Sequence, residues 1–347
     1  MSNDFLVLEL ASVLAGPSVG MFFAELGARV IKVENARTGG DVTRNWKLPS
    51  ETDPEAESAY YQSVNYGKEV HFLDLTDSTD RARVLAWVDE ADVVISNFRE
   101  TSARRLGLDA ATCRVRNPRM IYAQLYGFGK DDPRPAFDVV LQAEAGFLHL
   151  TGHPGAPPAK MPVALIDLLA AHQLKEGILL ALWQRERTGR GATVSTSLLA
   201  AALASLANQA TNWTIAGTVP QRMGTRHPNI APYGDLFVCA DGKSVVLAVG
   251  TERHFVRLCE LLDLRNLPKD ERFASNAARV RHRDALNELL TPAFQTITSD
   301  DFLTRCAELG IPAGRIRDMR EVFEQPAAAG MLLPGGVVRS VAFNIKQ

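Results

Sequence analysis

One aspartate in this sequence stands where a charge is costly. Asp167 lies between Val163-Ala164-Leu165-Ile166 and Leu168-Leu169-Ala170-Ala171, so whichever face of a helix it occupies is largely apolar. Burying a carboxylate there is unfavourable unless it is paired or hydrogen-bonded, and its pKa should rise. Sites that accept such a cost often use the group. A carboxylate beside an apolar cleft can attack an activated acyl group and form an anhydride, splitting one hard transfer into easier steps. An aspartate that only braces or caps a helix gives the same pattern, and the residues alone leave both readings open.

A second set of residues suits a nucleotide with phosphates. Lys68 closes Asn65-Tyr66-Gly67, Asn97-Phe98-Arg99 follows the apolar run Val93 to Ser96, and Arg104-Arg105 comes just beyond. In an open α/β sheet, ligands lie outside the carboxyl ends of the strands. Phe98 there suits stacking on a base, while Arg and Lys suit phosphates. A solvated basic loop is the competing reading. The first turn reads Ala11-Ser12-Val13-Leu14-Ala15-Gly16-Pro17, without GxGxxG, so nicotinamide and flavin chemistry is not expected although Glu34 stands where a ribose-binding acid would.

The elements that position these groups alternate between strand and helix, the signature of a parallel sheet covered by helices. Strands are predicted at Phe5 to Leu10, Arg29 to Glu34, Val70 to Leu75, Val93 to Ser96 and Met120 to Tyr126. Helices are predicted at Ser18 to Leu26, at about Ser78 to Glu90 with Asp77 or Ser78 as cap, around Asp167, and from about Leu198 to Ile215 after a Thr-Gly-Arg-Gly turn. Gly217 to Pro232 breaks the rhythm. Beyond it, Asp241-Gly242 joins two strand-like runs as a hairpin, and helical patterns at Arg253 to Leu262 and Ala277 to Leu309 give a second α+β unit ending near residue 315.

With 347 residues, 46% of them hydrophobic, the chain can fill two cores. Its 38 Lys and Arg against 40 Asp and Glu give no general attraction to nucleic acid or anionic membrane. Charges interrupt the most apolar segment, Val163 to Trp183, which marks it as a buried helix and not a membrane span. The start, MSNDFLVLEL, shows no basic leader. Cys113, Cys239, Cys259 and Cys306 form no CxxC or metal spacing and read as reduced thiols, so a cytoplasmic protein without a metal is expected.

Taken together, VLELASVLAGP, LGARVIKVE with GGDVTRNW, NYGKEVHFLDL, ADVVISNFRE with RRLGL, NPRMIYAQLYGFG, ALIDLLAAH with RERTGRGATVSTSL, HPNIAPYGDLFVCADG and IPAGRIRDMREV resemble the class III CoA-transferases. This CaiB/BaiF family contains formyl-CoA transferase, the carnitine CoA-transferases and α-methylacyl-CoA racemase. The resemblance implies a large Rossmann-like α/β domain over residues 1–216, completed by about 325–347. It further implies a linker at 217–232, a small α+β domain at 233–315, a return linker at 316–334, and a homodimer of interlocked rings. Asp167 then stands at the family's catalytic aspartate. Leu14, Ala15, Lys68, Asn97, Phe98, Arg99 and Arg105 are implied contacts to coenzyme A, which is a substrate; no prosthetic group is expected. Asn35 replaces an arginine of some relatives, with Arg37 two residues on.

The activity so implied moves CoA from an acyl-CoA to a small carboxylic acid through aspartyl intermediates, with backbone amides at the helix start holding the oxyanion. Arg134, Arg226 and Lys160 are candidates to hold the second carboxylate of a diacid. His227 is a candidate to serve the active site from across the dimer interface or, equally, to build a turn. A racemase of the same fold is the first alternative, but where racemases carry Gly-His-Asp this sequence has Ala136-Phe137-Asp138, and phenylalanine exchanges no proton. His149, His153 and His172 fall outside that motif and read as structural or surface residues, while Asp138 is expected to shape the acyl pocket. A non-catalytic acyl-CoA-binding homologue is the second alternative.

Overall fold

The computed structural model describes residues 4–345. Met1-Ser2-Asn3 of the predicted leader-free start and Lys346-Gln347 of the predicted returning tail lie outside the described residues. Two compact units emerge: the described parts of Met1–Phe147, Lys160–Val219 and Gly330–Gln347, and a second made of Leu148–Ala159 and Pro220–Ala329. The Gly/Pro-rich loop at Thr151 to Pro158, placed with the large domain from sequence, lies in the segment Leu148–Ala159 of the second unit, where Arg222 donates to the His149 carbonyl and the Gly224 amide to that of Gly152.

The first unit is built on β1 (Leu6–Leu10), β2 (Arg29–Asn35), β3 (Glu69–Leu73), β4 (Val93–Ser96), β5 (Ile121–Tyr126) and β6 (Thr193–Ser197). All pair in parallel, in the order β3-β2-β1-β4-β5-β6. Its helices are α1 (Ala15–Glu25), α2 (Ala59–Asn65), α3 (Ser78–Glu90), α4 (Glu100–Leu106), α5 (Ala110–Arg116), α6 (Asp138–Glu144), α8 (Leu165–Thr188), α9 (Leu198–Ala204) and α10 (Ala207–Thr214), while α7 (Phe147–Leu150) has all but its first residue in the second unit. Side chains alternate across a strand. Val7, Val30, Val93, Ile95 and Ile121 therefore pack with α1, α6, α8 and α9, while Leu6, Leu8, Ile31, Val94 and Tyr122 pack on the other face with α3 and α5. Such burial on both faces is what near-continuous apolar strands predict.

The strands are added toward one side of β1 up to β3 and toward the other from β4 onward, so the crevice at the carboxyl ends of β1 and β4 is where an open sheet of this order receives a ligand. Asp77 is the cap of α3, accepting from the Thr79 and Asp80 amides, and Gly189 at φ 71° closes α8. The helix predicted from Leu198 to Ile215 is two, α9 and α10, parted by Ser205 and Leu206. The second unit carries β7 (Tyr233–Val238), β8 (Ser244–Ala248) and β9 (Ala313–Arg315) as an antiparallel sheet, with Gly242 at φ 75° in the predicted hairpin. The helical run Ala277 to Leu309 divides into three helices there, Asn276–Arg281, Arg283–Phe294 and Ser299–Leu309.

Candidate active site

Asp167 occupies the first turn of α8 and is only 6% exposed, at the edge of a cavity of about 960 Å³. The cavity lies within the first unit, between α1, α2 and α8 and the tail segment Val338 to Ser340. Its carboxylate accepts no hydrogen bond among the described residues, and burial, then the nearby Asp138 carboxylate, push its pKa up to about 7. Such a group is roughly half ionised at neutral pH.

The helix start is already occupied. Asp138, first residue of α6, accepts from the Ile166 amide at 2.7 Å and the Asp167 amide at 3.4 Å, and Gln142 donates to its other oxygen at 2.5 Å. The Leu165 amide bonds the Val163 carbonyl and that of Leu168 the Ala164 carbonyl. The expectation that amides at this helix start hold an oxyanion is therefore corrected: an aspartate caps them. An uncommitted donor in the cavity wall is Tyr60, whose hydroxyl pKa is raised to about 12 by burial and then by Asp167 and Asp138.

The first turn is held from below by buried charges. Glu9 accepts from Lys32 at 2.8 Å and pairs with Lys68 at 2.7 Å; Lys32 also reaches Asp41 at 3.3 Å, and the side chains of Glu9, Lys32 and Lys68 have no solvent exposure. Asp41 in turn accepts the Val13 amide at 3.0 Å. Val13 has φ 74°, an unfavourable conformation for a β-branched residue, which persists only where its surroundings impose it. Leu14 follows as the cap of α1 and lines the cavity, and Ala15 opens the helix. Amides in a first helical turn lack intrahelical partners.

At the switch point, Asn97 donates to the Ser12 carbonyl at 3.1 Å and so ties the end of β4 to this turn. Phe98 separates two further cavities: Arg99 lines one beside Asn97, and Arg105, Arg37 and Asn35 line the other. Arg99 and Arg105 are exposed. The structure thus gathers Asn97, Phe98, Arg99 and Arg105 beyond the carboxyl end of β4, tied through Ser12 to the turn that leads to Leu14, but not Lys68, whose ammonium is sealed against Glu9, Asn65 and the Pro17 carbonyl. Burial lowers the Lys68 pKa to about 7.

Glu34 is likewise turned inward, held by Arg44, Tyr61 and the Asp41 amide, and is not placed for a ribose. Of the three cations considered for a second carboxylate, only Lys160 lines the Asp167 cavity. Arg134 pairs with Asp132 at the Phe98 edge, and Arg226 pairs with Asp235 and Asp284 in the second unit. His227 builds a turn there: its ring nitrogen accepts the Asn229 amide and its ring meets Tyr233 edge-on at 5.1 Å. His172, read as structural or surface, lines the cavity, and so do Lys175, Arg339 and Tyr60, which sequence reasoning passed over. The signal for His172 and Lys175 was their spacing from Asp167 along one helix. For Arg339 there was none.

Residues 3–333 match the family model described as CoA-transferase family III. The chain belongs to that family. This CoA-transferase is 39% identical over 326 residues to the succinate–glutarate CoA-transferase of Agrobacterium fabrum, covering 92% of the chain and 81% of that protein. It is 30% identical to the succinyl-CoA:glutarate CoA-transferase of Homo sapiens, over 98% of the chain and 80% of that protein. A crystal structure of a CAIB/BAIF family protein from Brucella suis superposes with a TM-score of 0.84 at 39% identity, over 98% of the chain and 91% of that structure. This family member is an enzyme that handles CoA thioesters. Among its described residues no helix is long and apolar enough to cross a membrane, and no cluster of ligands suits a metal.

Proposed function

We propose that this enzyme moves CoA between a small dicarboxylic acyl-CoA and a second carboxylic acid, with Asp167 as the covalent carrier. The observation that carries this is a buried, unpartnered carboxylate with a pKa near 7 at the wall of an apolar cavity. Desolvation leaves it a stronger nucleophile than an ordinary carboxylate, and a bound thioester gains from proximity. An Asp167 oxygen bonds the thioester carbon as the C–S bond breaks, giving an aspartyl–acyl anhydride and CoA thiolate. The thiolate then bonds the Asp167 carbonyl carbon as the anhydride C–O bond breaks, releasing the donor acid and leaving an aspartyl-CoA thioester. The acceptor carboxylate repeats both steps in reverse, so no net proton or electron is exchanged. Tyr60 is the side chain proposed to donate to the oxyanion.

CoA itself is proposed to lie across the carboxyl ends of β1 and β4, its base against Phe98 and its phosphates at Arg99 and Arg105, with the amides of Leu14 and Ala15 facing the pantetheine arm. The names of the relatives, which act on succinate and glutarate, support a diacid. We place the enzyme in the cytoplasm on its four free, buried cysteines, and read it as a homodimer on exposed apolar residues such as Leu180, Trp183, Trp213 and Ile215. Phe137 at the cavity wall disfavours proton exchange at an α-carbon. The test is mass spectrometry after brief incubation with a panel of acyl-CoAs, hydroxylamine trapping and peptide mapping. A modified Asp167 peptide, absent in Asp167→Asn, is expected; an unmodified peptide with α-proton exchange would replace this reading with the racemase.

A further inference from the structure

Two turns along α8 from Asp167, the cavity wall presents a cation with no acceptor in contact. Lys175 is 8% exposed and lines the cavity, yet among the described residues its ammonium makes neither a hydrogen bond nor an ion pair: the Phe22 ring centroid lies 5.2 Å away, and Glu176 and Glu25 attract it without contact. Beside it in the lining stands Arg339, whose Nε reaches Glu25 at 3.3 Å while its two terminal nitrogens pair with no described residue. Glu25 also receives the Ser340 amide and hydroxyl at 2.5 and 2.7 Å, which fixes the tail, and hence Arg339, against the end of α1. The neighbouring Glu176 is exposed and accepts from Gln173 at 3.2 Å. Neither Glu25 nor Glu176 lines the cavity, so the lining at this end presents cations and no acid, with Glu25 behind Arg339. A buried ammonium without an acceptor is unfavourable and points to an anion that arrives with the substrate.

The spacing limits that anion. Asp167, Ala171 and Lys175 share one stripe of the helix at i, i+4 and i+8, and all three line the cavity. At about 1.5 Å per residue, Lys175 stands about 12 Å from Asp167 along the axis, and its side chain leans back toward the helix start. A reacting carboxylate needs about 3–3.5 Å to its target carbon and an ammonium about 2.8 Å to its acceptor, leaving roughly 6 Å between the two, shortened further by the greater reach of the lysine side chain. The carboxyl carbons of an extended four- or five-carbon diacid lie about 4–5 Å apart at the bond lengths of a saturated chain. We infer that Lys175, with Arg339 beside it, binds the far carboxylate of the acyl group and selects four- to five-carbon diacids over monoacids of equal length. This rests on Asp167 as the site of transfer.

The experiment compares kcat/KM for glutaryl-CoA and valeryl-CoA in the full-length protein, in Lys175→Met, Lys175→Arg and Arg339→Gln, with the Asp167 peptide mapped in parallel. Wild type should favour glutaryl-CoA, and Lys175→Met should lower the glutaryl-to-valeryl ratio about 10- to 100-fold, mainly through KM, with Lys175→Arg retaining most of it. An unchanged ratio overturns the inference, as does an equal loss on both donors, which would give Lys175 to CoA or to packing. Should Lys175→Met lose all turnover, Arg339→Gln reads the same ratio, and no change there also overturns it. Failure of the Asp167 reading has its own signature: transfer without any Asp167 adduct, with the ratio still sensitive to Lys175.

Discussion

Replacing Asp167 with asparagine should abolish transfer and at the same time stabilise the free protein, increasingly so as pH rises. The carboxyl group titrates near 7 in the fold against an ordinary 3.8. Stability from the neutral group is fully present below about 3.8, declines as the unfolded chain ionises and the folded one does not, and is lost once pH passes 7. A gap of about three pH units at about 1.4 kcal/mol each makes the penalty on the order of 4 kcal/mol in alkaline solution. The amide removes that penalty and forfeits no hydrogen bond, since the carboxylate accepts none from the described residues. Urea unfolding of both proteins from pH 5 to pH 8.5 should therefore show their separation widening by about 2–3 kcal/mol. A separation that stays constant, or narrows, would refute the argument that desolvation sets this pKa.

The rate with acyl-CoA at low concentration should rise with pH through about 7 as Asp167 ionises, and Asp138→Asn, by removing a neighbouring charge, should move that midpoint downward; a pH profile of kcat/KM reads both. Phe98→Ala should raise KM for acyl-CoA about tenfold with little change in kcat, consistent with the loss of one base-stacking face. Gly191→Ala should destabilise by about 1–3 kcal/mol, because its Cβ would stand 2.0 Å from the Met120 carbonyl oxygen, and a thermal melt with an unchanged midpoint would contradict this.

Much of the first unit was legible because its strands are short apolar runs buried on both faces, a pattern that residue type alone reveals. β4 was read with its observed ends, and β1, β2 and β5 with ends one residue off. β6 was missed for a physical reason: Thr-Val-Ser-Thr-Ser lies at the edge of the sheet, pairs only with β5, and has no apolar face to announce it. β9 has three residues, too few for any periodicity. At the site, Asp167 stood out as a charge in an apolar helix. Lys68 misled because its motif position shows nothing of depth: the residues that bury it, Glu9 and Lys32, come from strands far away in sequence. Arg339 became visible only once the tail had folded back to Glu25.

The chain of charges beneath the first turn also restricts how this sequence can change. Glu9, Lys32, Lys68 and Asp41 set two basic against two acidic side chains, none of them exposed to solvent. Removing one member strands an opposite charge in the interior, at a cost of about 3–5 kcal/mol, whereas an apolar pair of similar volume in place of Glu9 and Lys68 is nearly neutral or better. Lineages can therefore leave this arrangement only by paired steps, the first of them deleterious. A library built one position at a time will record all four sites as immutable, while a library that varies them jointly will find working replacements.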